Sequence, residues 1–91
     1  MLVTFDPAKS ERNEAERGIP FGAAAVFDWS TALVAEDTRR DYGERRYQAV
    51  GFIGERLHVL VFTPRDRGVH VISLRRANGR ERKRYAAHSE A

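Results

Sequence analysis

The 91-residue sequence contains no cysteine, which excludes a disulfide framework and any thiolate metal site and fits a reducing cytoplasm. No apolar run approaches the roughly 20 residues of a membrane-spanning helix. Residues 1–7 (MLVTFDP) carry no basic flank before an apolar core of signal-peptide length. A soluble, cytoplasmic protein with no membrane contact is expected. No repeat, low-complexity segment or linker interrupts the chain, so a single domain over residues 1–91 is expected. No His, Asp or Glu pair has metal-ligand spacing on a predicted element, which argues against a metal-dependent nuclease and against any cofactor.

What is present is a folded composition, 42% hydrophobic with five Phe, three Tyr and one Trp. The formal charge is +3 and the pI about 9.8, but placement matters more than the total. From Arg75 to Arg84 the chain reads RRANGRERKR: Arg75, Arg76, Arg80, Arg82, Lys83 and Arg84 against Glu81 alone. A basic block at one end of a small domain predicts a polyanion or an acidic protein partner. A merely solvated cationic helix is the competing reading.

Residues 2–5 read as a short apolar strand. Asp6 can cap the free N–H groups of a helix whose first position suits Pro7, and Gly18 is its natural stop. Residues 21–27 (FGAAAVF) read as a second short helix, followed by an extended stretch at 32–35 and a charged loop at 36–45. Strands are expected at 46–53, 57–63 and 69–75, the first two joined by a tight turn at Gly54-Glu55-Arg56. Asn78 and Glu81 have capping-box spacing and open a last helix. The expectation is an α+β fold: two N-terminal helices, an antiparallel sheet meander and a C-terminal helix.

Strand alternation sorts the faces. The simplest solution sets Leu60, Phe62, Ile72 and Leu74 against the helices and gathers Arg46, Gln48, Ser73 and Arg75 on the opposite face. Strict parity also puts Val50 and Phe52 beside Arg46, so that face is polar only at its start. A bulge, for which Gly51 is the candidate, would invert part of this assignment. The cationic face suits a phosphate-bearing ligand, and two solvated arginines paired with carboxylates remain the alternative. By the same parity His58 and His70 fall on the core side, as structural histidines, while His88 lies in the tail. On the last helix, Asn78, Glu81, Arg82 and Tyr85 share a stripe that packs through Tyr85. Arg80, Lys83 and Arg84 then face solvent or a partner, and Glu81 reads as a capping and ion-pairing residue rather than a general base.

Three blocks in order resemble the BrnT family of bacterial ribonuclease toxins. The first is Asp6, Lys9, Asn13, Gly18 and Phe21. The second is Gly43-Glu44-Arg45-Arg46-Tyr47 with Val50-Gly51. The third is Ile72-Ser73-Leu74-Arg75-Arg76-Ala77 with Glu81-Arg82 and Tyr85. The family's Lys-His-Gly triplet is Glu16-Arg17-Gly18 here, so that histidine is replaced. The resemblance implies a small RelE-like domain, ribonuclease activity that inhibits translation, and neutralisation by a BrnA-like antitoxin in a toxin–antitoxin heterotetramer.

Metal-independent RNA cleavage, in which the ribose 2′-OH attacks the adjacent phosphate, needs positioning, cationic stabilisation and modest proton transfer. Arginine suits the second task because it stays charged and grips phosphate with a planar fork. Arg46 and Arg75 are therefore the expected phosphate and transition-state ligands. Lys9, Arg76 and Arg82 support them, and Arg80, Lys83 and Arg84 add to the RNA-binding surface. Glu44 is the best carboxylate candidate for proton transfer, with a loop salt bridge to Arg46 as the alternative. A non-catalytic basic module that binds nucleic acid or an acidic protein is the rival function.

Overall fold

The computed structural model describes residues 1–89 and builds an α+β layer on one five-stranded sheet. Its strands are β1 (Leu2–Thr4), β2 (Leu33–Glu36), β3 (Tyr47–Ile53), β4 (Arg56–Arg65) and β5 (Gly68–Arg76), in the spatial order β1-β5-β4-β3-β2. Strands β2 to β5 are antiparallel neighbours, as the meander requires, but β1 pairs parallel to β5. The sheet is therefore mixed. No hairpin joins β1 to β5, so nothing local dictates their relative direction.

Helix α1 (Pro7–Arg17) starts and stops where its caps demand. The Asp6 carboxylate accepts from the Ala8 N–H at 2.9 Å, and Gly18, at φ 75°, takes the left-handed conformation that closes it. Among the described residues no strand pairs with the outer edge of β5 beyond His70, and α1 docks there through Asn13. Asn13, buried, donates through Nδ2 to the carbonyls of Ile19 and Leu74, each at 2.8 Å.

The second N-terminal helix is a 3₁₀ helix, Phe21–Val26, rather than an α-helix. Phe21, Ala24 and Phe27 recur every third residue, and all three are buried. A three-residue turn aligns them on one side, which a 3.6-residue turn would not. They close the main core against Ala49, Leu60, Phe62, Val69, Val71 and Leu74 on one sheet face.

This core differs from simple strand parity at one point. Val61 pairs with Ser73 and Phe62 with Val71, so Ile72 is an extra residue on β5. The bulge lies at Ile72, not at Gly51, and it inverts the N-terminal half of β5. Val69 and Val71 point into the core, while His70, expected on the core side, moves to the opposite face with Thr63. Ile72, expected in the core, is half-buried instead. Gly51 stays in regular register opposite His58. Its missing side chain admits Phe27, whose Cζ would lie 2.7 Å from a Cβ there.

Helix α2 (Gly79–Ser89) opens on the expected capping box: Glu81 N–H donates to Asn78 Oδ1, and Asn78 N–H to Glu81 Oε1, both at 2.8 Å. It lies on the face opposite the main core. Tyr85 packs there edge-on against Phe52, 5.6 Å between centroids, within a smaller cluster built on Leu57, Val59 and Ala77. No α2 residue is itself buried, so one aromatic and a few polar contacts hold this helix down.

Candidate active site

Paired residues in a sheet project to the same face, so the register sorts the surface opposite the main core into cross-strand rows. Nearest the 54–55 turn, Phe52 and Leu57 form an apolar row under Tyr85. Next come Leu33, Val50, Val59 and Arg75, then Ala35, Gln48, Val61 and Ser73. The last row continues beyond the ends of β2 and β3 as Asp37, Arg46, Thr63, His70 and Thr4. The face thus grades from apolar, where α2 covers it, to polar, where it is open. Arg46 and Arg75 share it, as expected, but stand two rows and two strands apart. By strand geometry that is about 13 Å along and about 10 Å across.

Each candidate arginine on this face is oriented by a carboxylate. Arg75 donates to Glu81 through both terminal nitrogens at 2.8 Å, so Glu81 caps α2 and holds the guanidinium at once. The hydrogen bonds from Arg75, with the Asn78 N–H adding to them and burial opposing, hold the Glu81 carboxyl at about 2. The same hydrogen bonds raise the Arg75 pKa, partly offset by burial and by the nearby charge of Arg39. Arg46 is half-buried, stacks over the Tyr42 ring at 4.2 Å, and places Nε 3.4 Å from Glu44 Oε2. Glu44 also lies 3.9 Å from Arg65, so it sits among two cations at the open end.

Because the Glu81 carboxyl is depressed from an ordinary 4.5 to about 2, it contributes stability that is present above pH 4.5 and lost as pH falls towards 2. Glu81→Gln keeps the capping geometry and removes the titration. Thermal midpoints measured between pH 5 and about 2 should therefore fall less steeply in Glu81→Gln than in wild type. Equal slopes would show that the pair adds no pH-dependent stability.

The RNA-binding candidates are dispersed. Lys9, on α1, borders a depression at the outer edge of β5 with Arg12, Asn13 and Ser73, so it approaches the open face from that edge. Arg76 is exposed at the end of β5, and Arg82 donates through Nη1 to the Ala77 carbonyl at 2.9 Å. Arg80 and Lys83 are exposed on α2, and Arg84 borders a groove with Leu33 and Tyr85. His58 is buried, with Nδ1 2.8 Å from the Arg56 carbonyl oxygen. Among the described residues, no three His, Cys, Asp or Glu side chains converge as metal ligands, and no helix is long and apolar enough to cross a membrane.

Two parts of this face do not follow from residue type. His70 lies in the open row, with Nδ1 2.8 Å from Thr4 Oγ1. Its parity was readable, but the bulge that reverses it was not. Asp37, Arg39 and Tyr42 lie in the charged segment 36–45, where residue type indicates only a loop. The signal there was Asp37-Thr38-Arg39, an acid and a base two apart directly after a strand.

The family model for the ribonuclease toxin BrnT of type II toxin–antitoxin systems matches residues 5–81, which include Lys9, Glu44, Arg46 and Arg75 and stop short of Arg82, Lys83 and Arg84. No curated protein and no solved structure matches the chain.

Proposed function

As this chain belongs to the BrnT family of ribonuclease toxins of type II toxin–antitoxin systems, we propose that it cleaves RNA on the open sheet face without a metal ion. The observation that carries this reading is the pair of half-buried guanidiniums, Arg46 and Arg75, on one face and each beside a carboxylate. Two fixed positive charges supply there what a metal supplies in other nucleases, stabilisation of charge developing on a phosphoryl group. The ribose 2′-OH attacks the adjacent phosphorus, and the bond to the 5′-oxygen breaks. Glu44, beside Arg46, takes the 2′-OH proton, and a water molecule protonates the departing oxygen. Arg75 and Arg46 bind the phosphate oxygens, and Lys9, Arg76 and Arg82 hold the strand on either side.

The exposed cations of α2, Arg80, Lys83 and Arg84, extend the surface for RNA and for a BrnA-like antitoxin in a toxin–antitoxin heterotetramer. The single domain over residues 1–91 acts in the cytoplasm and carries both surfaces. The test is RNA cleavage by the purified protein with EDTA, and with added magnesium or zinc. Cleavage should survive EDTA at an undiminished rate. Strict dependence on added metal would overturn the mechanism. RNA binding without cleavage under every condition would favour the rival binding module.

A further inference from the structure

Asp37 is the one carboxylate among the described residues that the fold buries, its side chain 3% exposed, yet it spends its hydrogen bonds on groups at the surface. Its Oδ1 accepts from Arg39 Nε at 2.8 Å and from the Arg39 backbone N–H, and its Oδ2 accepts from Arg39 Nη2 at 2.8 Å. Tyr42 Oη donates to the same Oδ2 at 3.2 Å, and the Tyr42 ring lies under the Arg46 guanidinium. The Asp37 N–H in turn donates to the Arg46 carbonyl at 2.7 Å. Arg39 is thus gripped along one edge from below, while its side chain is 72% exposed.

A carboxylate out of water is costly unless it is fully hydrogen-bonded, and here the bonds go to a guanidinium presented outwards. The Nε–Nη2 edge is used, so the Nη1 side remains directed to solvent with its charge intact. Resting on the ribonuclease reading above, we propose that Arg39 is a further phosphate ligand of the open face. It holds the phosphodiester next to the one at Arg75, with Asp37 and Tyr42 as its positioning residues. Arg46 and Arg75 are held by different carboxylates, Glu44 and Glu81, and a third fixed guanidinium on the same face lengthens the track that an extended strand with successive phosphates would follow. Arg39 is tied to Arg46 through Asp37 and Tyr42. Its charge also opposes the rise in the Arg75 pKa, which places it in the field of Arg75. The hydrogen bonds of Arg39 hold the Asp37 carboxyl well below the ordinary carboxylate range, so the grip persists at neutral and mildly acidic pH.

The test is binding of a single-stranded RNA oligonucleotide blocked by 2′-O-methylation, titrated at several salt concentrations, alongside cleavage of the unblocked oligonucleotide. Each phosphate contact contributes a slope of about 0.7 to the salt dependence for single strands. Arg39→Ala should weaken binding about tenfold and flatten the slope by about 0.7. Arg39→Lys should restore the slope but only part of the affinity, since it keeps the charge without the fork. Asp37→Asn should keep the slope and lose affinity, because it leaves the cation present but unheld. A loop with a purely structural role would instead lower thermal stability in Arg39→Ala and leave the slope unchanged. If wild type cleaves and binds but Arg39→Ala matches it in slope and affinity, the proposal fails alone. If wild type neither cleaves nor binds the oligonucleotide, the ribonuclease reading fails with it.

Discussion

Arg75→Ala is expected to lower kcat/KM for RNA cleavage by about 10- to 150-fold, the equivalent of roughly 1.5–3 kcal/mol of lost charge-assisted contact. Arg75 projects from the second row of the open face, and Glu81 fixes its planar fork through two bonds of 2.8 Å. The fold should survive the change. Glu81 loses its Arg75 partner but keeps both capping-box bonds with Asn78, and Tyr85 still anchors α2 through Phe52 and its hydrogen bond to the Thr31 carbonyl. Arg75→Lys should recover only part of the activity, because an ammonium cannot reproduce the fork. Cleavage kinetics, growth inhibition on expression and circular dichroism check this together. A well-folded Arg75→Ala protein with wild-type activity would sink the assignment.

Leu74→Ala is expected to have the largest effect on stability, about 2–5 kcal/mol, because it empties a fully buried site. A 91-residue domain has a margin of only about 5–14 kcal/mol. The thermal midpoint should therefore fall by about 10 °C or more. Leu74 pairs with Leu60 across the centre of the sheet, and its carbonyl receives the Asn13 bond that docks α1. Ser73 and Arg75 flank it, so a collapse there would also disturb the open face. Ile72→Ala gives the contrast. The bulge leaves Ile72 half-buried, so its truncation should cost clearly less. Chemical denaturation of the two variants decides the matter, and equal losses would place Ile72 in the core and remove the bulge.

Much of the fold is legible because it is local. Asp6-Pro7, Gly18, the 54–55 turn and the Asn78–Glu81 capping box each act within a few residues, and each forms as its chemistry requires. Alternation in β3 and β4 is unbroken, so Ala49, Leu60 and Phe62 reach the core while Gln48 and Val61 reach the other face. The tilt of that face from apolar to polar also followed from Val50 and Phe52 sharing a side with Arg46. The type of the second helix was less legible. FGAAAVF suits either kind of turn, and only the burial of every third residue against the sheet selects the tighter one.

Caps, turns, strands and the charge of the C-terminal block are set locally, because they depend on neighbours along the chain. Lys9, Glu44, Arg46 and Arg75 lie within the matched segment 5–81, and their spacings can be read without a fold. Tertiary structure decided the rest. One unpaired residue, Ile72, reverses the first half of β5 and carries His70 from the core side to the open face. Pairing across the sheet decided that Asp37 joins the row of Arg46 and that Arg46 and Arg75 stand two rows and two strands apart on one face. Such outcomes depend on register between distant segments. A shift of one residue reverses every side chain that follows, and no local preference of the chain fixes where that shift occurs.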